Sequence, residues 1–214
     1  MKKHTLLSDI AVFLLIIFLF IVPPFFAPAV TQASPLFTGW SFPWYQLILA
    51  FLSILILFFY YELNDKRTLL IFPVLFTCGM LFSCSLFCRF LSEISGGYDG
   101  EFAVTKPAGF IQWLFCLLNF LCAALFEEVI YRFYFVDQLF SLITRKKVWR
   151  TSRIICEILA LLCFAFAHLY LGWISVLNAA LAHVFLRLCY KRIGKLWPCI
   201  VSHFIYNVIS LILL

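Results

Sequence analysis

The stretch Phe126-Glu127-Glu128-Val129-Ile130-Tyr131-Arg132 decides how this chain is interpreted. It places two adjacent carboxylates and a guanidinium inside a run of residues that is otherwise apolar enough to lie within a membrane. An ionised side chain near the bilayer centre costs about 2.5–3.5 kcal/mol on insertion scales. Three such groups in six residues therefore indicate a neutralising pair, a water-filled cavity or a working site.

Helical geometry separates the two carboxylates of this stretch. Glu128 and Arg132 are four residues apart, so they share one helix face with the acid N-terminal to the base, which favours pairing. Glu127 lies about 100° further round the helix. The residue four positions after it is Tyr131, which cannot neutralise it. The stretch thus predicts one paired carboxylate and one free carboxylate at membrane depth.

Composition defines the class of protein. The chain has 214 residues, of which 65% are hydrophobic and 12% charged, whereas a soluble domain is nearer half apolar and a quarter charged. We therefore predict an all-α, polytopic integral membrane protein that is embedded in the lipid bilayer. The net charge of +6 does not indicate nucleic-acid binding, because the basic residues cluster in short segments between apolar runs, where they act as topology signals.

Seven apolar runs predict seven transmembrane helices, at residues 10–22, 45–61, 69–90, 110 to about 132, 154–170, 174–190 and 198–214. The fourth run continues to residue 142 and would be about 50 Å long as one helix, which exceeds an upright span. We therefore expect the span to end near Arg132 and an interfacial helix to follow from Phe133. Residues 1–109 form an N-terminal three-span region, and residues 110–214 form a four-helix core.

Two further features of the runs concern processing and cysteine chemistry. We interpret the first run as a retained span, with a cleaved signal peptide as the alternative, since Thr31-Gln32-Ala33 resembles a cleavage site. The nine cysteines all lie in apolar runs, and no CxxC motif occurs. They are typical of small apolar core residues rather than of disulfides or a zinc cluster.

Charges between the runs predict the orientation in the membrane. Basic residues precede span one and follow spans two, four and six: Lys2, Lys3, Lys66, Arg67, Arg145, Lys146, Lys147, Arg150, Arg153, Arg187, Lys191, Arg192 and Lys195. The other segments are uncharged or carry an acidic mixture. This alternation predicts a cytoplasmic N-terminus and an outer C-terminus, in what we take to be a bacterial plasma membrane.

Polar residues on other spans can meet the carboxylates. His168 ends the fifth run and shares a helix face with Phe164, although a polar residue at a span end can also reach the interface by itself. His203 and Asn207, four residues apart, present an imidazole and an amide on one face of the last run. Interhelical hydrogen bonding explains one of them well and the pair less well. His183 and Asn178 are five apart and are interpreted as packing polar groups.

The candidate site therefore combines Glu127, Glu128, Arg132, His168, His203 and Asn207 from three spans. This set contains a general base, an ion pair that can orient it and neutral hydrogen-bond donors. Such an inventory suits the activation of water at an amide carbonyl, with donors for the oxyanion. Two glutamates and two histidines can also bind a metal, so zinc stays an alternative, although the HExxH signature is absent from the sequence.

These residues, in this order, resemble the CPBP family of intramembrane proteases, which includes the type II CAAX prenyl endopeptidases and the bacteriocin-processing and self-immunity proteins. The family motifs EExxxR, FxxxH and HxxxN correspond here to residues 127–132, 164–168 and 203–207. Each motif alone is weak evidence, and three in order on apolar runs are strong. The resemblance extends from Phe110 to the C-terminus and leaves the first three spans without a counterpart.

The resemblance implies an endopeptidase that cleaves a membrane-associated protein or peptide without a cofactor. Glu127 and His168 would activate water, Glu128 and Arg132 would support the site, and His203 and Asn207 would stabilise the oxyanion. A catalytically idle chaperone or immunity protein of the same fold is one alternative, and a zinc-dependent protease is another. A proton-coupled transporter is disfavoured, because inverted repeats and paired broken helices are absent from the sequence. Substrate, prenyl dependence and oligomeric state stay open.

The depths of the two histidines pose a geometric problem. With straight spans, His203 would lie about 8 Å and His168 about 20 Å from the cytoplasmic ends of their helices. They can meet only if the fifth helix starts below the membrane, near Arg150, or if the helices tilt strongly.

Overall fold

The computed structural model describes residues 6–30, 39–60, 71–94, 105–144 and 150–213. These residues form helices and connecting turns, with no strand among them. The α-helices are α1 (Leu6–Ile16), α2 (Trp44–Tyr60), α3 (Ile71–Ile94), α4 (Phe110–Glu127), α5 (Phe135–Thr144), α6 (Arg150–Phe166), α7 (Trp173–Ile193) and α8 (Trp197–Leu213).

The all-α, polytopic class is confirmed. Seven apolar helical segments occur in the described chain, and five of them are long and apolar enough to cross a membrane: Leu6–Phe26, Ile71–Ile94, Phe110–Thr144, Thr151–Leu171 and Trp173–Ile193. The other two, α2 and α8, have 17 residues each, which is the lower limit for a spanning helix. Five long segments and two short apolar helices therefore correspond to the seven predicted runs.

The fourth segment changes helix type where the sequence predicts a boundary. The chain is helical from Phe110 to Thr144 without an interruption near Arg132, and the interfacial position of its second half stays a prediction. A π-helix at Glu128–Tyr134, called here the motif π segment, joins α4 to α5. Counting residues with α-helical periodicity alone cannot reveal such an insertion. π-Helical turns are rare and occur frequently at functional sites, and this one contains most of the stretch that opened the sequence analysis.

The first segment ends where its prolines lie. After α1 the chain passes through a short π-helical turn at Ile17–Ile21 and a 3₁₀ helix at Pro23–Phe26. Proline cannot donate a backbone hydrogen bond, so it is tolerated at the start of the 3₁₀ helix and ends the regular α ladder. The candidate cleavage sequence and most of the loop charges lie outside the described residues, so those interpretations stay predictions.

Packing joins the N-terminal helices to the rest of the molecule. Helix α3 packs against α7 and α8, and α2 packs against α4. The main hydrophobic cluster combines Phe13 and Phe20 of the first segment with Val129 and Ile130 of the motif π segment and with Phe164 of α6. Lipid tails are as apolar as these side chains, so the contacts stabilise through van der Waals packing rather than through removal from water.

Two glycines position the helices that carry the histidines. Gly172 (φ 94°) lies directly before α7, and Gly194 (φ 73°) ends α7, with its N–H donating to the carbonyl of Tyr190 at 2.7 Å. Both backbone conformations favour glycine because a side chain would be strained there. The chain therefore reverses just after His168 and again a few residues before His203.

The nine cysteines are free, as the sequence predicts; eight are buried and Cys163 is half-buried.

Candidate active site

The motif π segment carries a fully buried ion pair. Both side chains are wholly inaccessible, and Arg132 Nε lies 3.1 Å from Glu128 Oε2. The two atoms are close without the alignment of a hydrogen bond. The predicted pair is therefore present as an ionic contact that leaves the other oxygen of Glu128 for a second partner.

His203 of α8 lies between the two carboxylates. Its Nδ1 donates to Glu128 Oε1 at 2.8 Å, and its Nε2 is 3.8 Å from Glu127 Oε2. Since His203 enters 75 residues later in the chain, the packing of α8 against α4 brings these groups together. The imidazole thus links a buried carboxylate to one whose side chain is 19% exposed.

Arg132 is enclosed by groups from two other helices. Its Nη1 donates to His183 Nδ1 of α7 at 3.2 Å. Its guanidinium carbon lies 4.1 Å from the centre of the Phe164 ring of α6, within the range of a cation–π interaction. A buried charge is costly unless it is paired, and these contacts together with Glu128 hold the guanidinium in place.

His168 is oriented by the first residue of its own motif. Its Nδ1 donates to the carbonyl of Phe164 at 2.8 Å, and the two rings are 4.9 Å apart between centres. A carbonyl oxygen can only accept, so Nδ1 carries the proton, and Nε2 of the neutral ring is an acceptor. The ring is within electrostatic range of Glu127, His203 and Arg132.

A cavity of about 360 Å³ adjoins these groups. It lies between α3, α7 and α8 and is lined mostly by apolar side chains. His168, His203 and Asn207 all contribute to its wall. Two imidazoles and an amide therefore meet one mainly apolar space, which is the arrangement expected of a ligand pocket.

The structure brings together the residues that the sequence singled out. Glu127, Glu128, Arg132 and His203 form one contacting cluster, His168 lies within electrostatic range of it, and Asn207 shares the cavity with both histidines. One contact was not predicted: His203, expected to stabilise the oxyanion, is also hydrogen-bonded to Glu128. The depth problem does not arise, since α6 begins at Arg150 and both histidines reach the same cavity.

Sequence reasoning missed the residues of α6 and α7 that hold Arg132 of the motif in place. His183 was interpreted as a packing group, yet it accepts a hydrogen bond from Arg132. Arg187 was counted among the loop charges, and it is instead buried within α7, where only 4% of it is exposed. Its bidentate partner is Glu157 of α6, at 2.8 Å to each carboxylate oxygen. The four-residue spacing of His183 and Arg187 was the available signal.

The zinc alternative requires several protein donors that converge on one point. No group of three His, Cys, Asp or Glu side chains in the described chain is arranged to hold a metal ion. A tetrahedral zinc site needs three or four such donors converging on one point, and we derive no step through a metal.

The fold and site together define a helical membrane protein with a carboxylate–histidine cluster beside an apolar cavity. Residues 109–209 match the family model described as Type II CAAX prenyl endopeptidase Rce1-like. This match covers 101 of the 214 residues and agrees with the CPBP resemblance of the motifs. The match suggests the activity of a CAAX-type intramembrane protease. No match was found among curated proteins or among solved structures.

Proposed function

We propose that this protein is an intramembrane endopeptidase that hydrolyses a peptide bond of a membrane-associated protein or peptide. The observation that carries the proposal is the His203 imidazole bridging two adjacent carboxylates beside the cavity. Glutamate, histidine and amide side chains there supply the base and the donors that amide hydrolysis needs.

Glu127 is the general base of the proposed reaction. It is the more exposed of the two carboxylates, and the one without a basic partner on its own helix. A water molecule would give a proton to Glu127 while its oxygen attacks the carbonyl carbon of the substrate. His168, whose Nε2 is an acceptor, would orient this water. The proton would then pass to the amine as the carbon–nitrogen bond breaks, giving an acid and an amine.

His203 and Asn207 are the proposed donors to the oxyanion. Two ionised carboxylates and Arg132 leave one negative charge in the cluster, and a proton on each ring nitrogen of His203 would neutralise it. Neutral buried clusters cost less free energy than charged ones. With Nδ1 donating to Glu128, Nε2 would donate to the oxyanion beside the amide of Asn207. Donors that are already in place stabilise the transition state without reorganisation.

We further propose that the N-terminus is cytoplasmic, the C-terminus is outer and the membrane is a bacterial plasma membrane. Basic residues near one end of the bundle, among them Arg153, Lys191, Arg192 and Lys195, support this orientation under the positive-inside rule. Reporter fusions to each terminus test it, and an outer N-terminus would contradict it.

The function is tested by comparing the membrane proteins and peptides of cells that carry wild type or Glu127→Gln. We expect at least one membrane-associated peptide to be processed only with wild type, at equal protein levels. Identical processing in both strains would remove the protease proposal and favour an idle scaffold of the same fold.

A further inference from the structure

Arg187 ties three helical elements together at one point. Its Nε and Nη2 donate to the two oxygens of Glu157 on α6, each at 2.8 Å. Its Nη1 donates to the main-chain carbonyl of Arg132 in the motif π segment. The guanidinium is the one side chain that presents such a fork of donors in a fixed plane. Arg187 of α7 therefore fixes the backbone of the motif relative to α6.

Helix α7 holds Arg132 at two points. His183 accepts a hydrogen bond from its guanidinium, and Arg187 donates to its carbonyl. His183 and Arg187 are four residues apart and so lie on one face of α7. Side chain and backbone of Arg132 are thus both held by the same helix surface.

The cations that contact Glu157 differ in how far they are buried. Glu157 also contacts Arg153 at 3.6 Å and Lys191 at 3.2 Å, and the side chains of those two cations are 40% and 49% exposed. Arg187 is only 5% exposed at its side chain and is the cation that reaches the motif. Exposed pairs are worth little, whereas a buried and bidentate pair fixes geometry.

We propose that Glu157 and Arg187 are positioning residues that fix the register of the motif π segment and hence the placement of Glu127 and Glu128 against His203. This inference rests on the proposed hydrolytic function. Neither residue lines the cavity, so the pair acts through the backbone of Arg132 rather than on the substrate. A displacement of about 1 Å in such a site can cost on the order of 100-fold in rate.

The test compares Arg187→Lys with Arg153→Lys, a matched change at a half-exposed cation of the same network that pairs with Glu157 and with Asp137 of α5. Lysine keeps the charge and loses the fork. The first measurement is hydrogen–deuterium exchange of the full-length protein in detergent, which needs no substrate. We expect faster exchange in the peptide containing residues 128–135 for Arg187→Lys, and wild-type exchange there for Arg153→Lys.

The second measurement uses an internally quenched, farnesylated CAAX peptide as the probe, the substrate class that the family description names. For Arg187→Lys we expect kcat to fall roughly 10- to 100-fold with KM within about twofold, because the contact is remote from the substrate. Glu157→Asp keeps the charge while withdrawing the carboxylate, so it should shift both measurements in the same direction and serves if Arg187→Lys accumulates poorly.

Each outcome decides one proposal. Unchanged exchange in residues 128–135, or raised exchange with unchanged kcat, overturns the positioning role. A rise in KM with constant kcat also overturns it, since that pattern indicates substrate contact. If wild type and Glu127→Gln cleave the probe at equal rates, the proposed hydrolysis by Glu127 fails, and the exchange measurement still decides whether Arg187 holds the π segment.

Discussion

Two glutamate–arginine pairs contact the motif π segment, and they are built differently. Glu128 divides its oxygens between Arg132, at 3.1 Å, and His203, at 2.8 Å. Glu157 gives both oxygens to Arg187 at 2.8 Å in a bidentate contact. The first pair is imperfectly aligned and connected to the cavity-lining histidine, whereas the second is well aligned and does not line the cavity.

The difference indicates how charge is used within this membrane-embedded core. A bidentate pair commits both partners to one geometry, which suits a fixed support. A divided carboxylate keeps one oxygen available for an imidazole, which suits a site where protons move. Substitutions in the two pairs should therefore differ in how much activity they remove for a given loss of stability.

The largest effect is expected at the free carboxylate beside the divided pair. Glu127→Gln keeps the shape and removes the base, so cleavage should fall by about 10²- to 10⁴-fold or more while membrane levels stay normal. Glu127→Asp should also fail, because the carboxylate retreats by one methylene. Cleavage of a reporter peptide, normalised to protein level, provides the measurement, and a wild-type rate for Glu127→Gln would exclude a glutamate base.

Breaking the divided pair should reduce both activity and stability. Arg132→Ala leaves the Glu128 carboxylate buried without its cation and removes the donor to His183, which costs about 3–5 kcal/mol for a buried pair. Membrane abundance and cleavage should fall together. Quantitative blotting beside the reporter assay tests this, and normal abundance with full activity would show that the pair is dispensable.

A smaller effect is expected when the bidentate pair is weakened. Glu157→Gln can still accept one hydrogen bond from Arg187, and the Glu157 side chain is 20% exposed, so we expect a loss of about 1–3 kcal/mol. The thermal midpoint in detergent should drop while cleavage decreases less than for Arg132→Ala. A larger loss of cleavage than for Arg132→Ala would reverse the assignment of support and site.

Removal of metal should have no effect. Because no group of three His, Cys, Asp or Glu side chains in the described part of the chain is arranged to hold a metal ion, we predict that exhaustive chelation leaves the cleavage rate of the purified protein unchanged. Loss of activity that stoichiometric zinc restores would establish the zinc-dependent alternative.

The same comparison explains what the sequence could predict. Glu128 and Arg132 are four residues apart, so their contact follows from local helix geometry, and it is present. Glu157 and Arg187 are 30 residues apart on different helices, and no periodicity in either helix indicates their partner. Arg187 looked like a loop charge because lysines and arginines follow it closely in the sequence.

The contacts of His203 with both carboxylates also could not be predicted from the spacing of residues in the sequence. Its spacing from Asn207 indicated a polar face, and the motif order indicated a shared site, but contact with both carboxylates depends on how α8 packs against α4. The π segment was missed because all spacings were converted to angles with α-helical periodicity. The membrane class and the apolar runs were predictable, since they follow from composition and run length alone.

The motif π segment has a consequence for the long fourth helix as a whole. A π turn contains about one residue more than an α turn, so α5 is rotated by roughly 100° relative to the phase that α4 would have continued. The buried faces of α4 and α5 therefore do not form one continuous stripe along the helix. The buried face of α5 is rotated relative to that of α4. Deleting a single residue between Glu128 and Tyr134 would merge the two phases, turning either the inward face of α4 or that of α5 towards lipid.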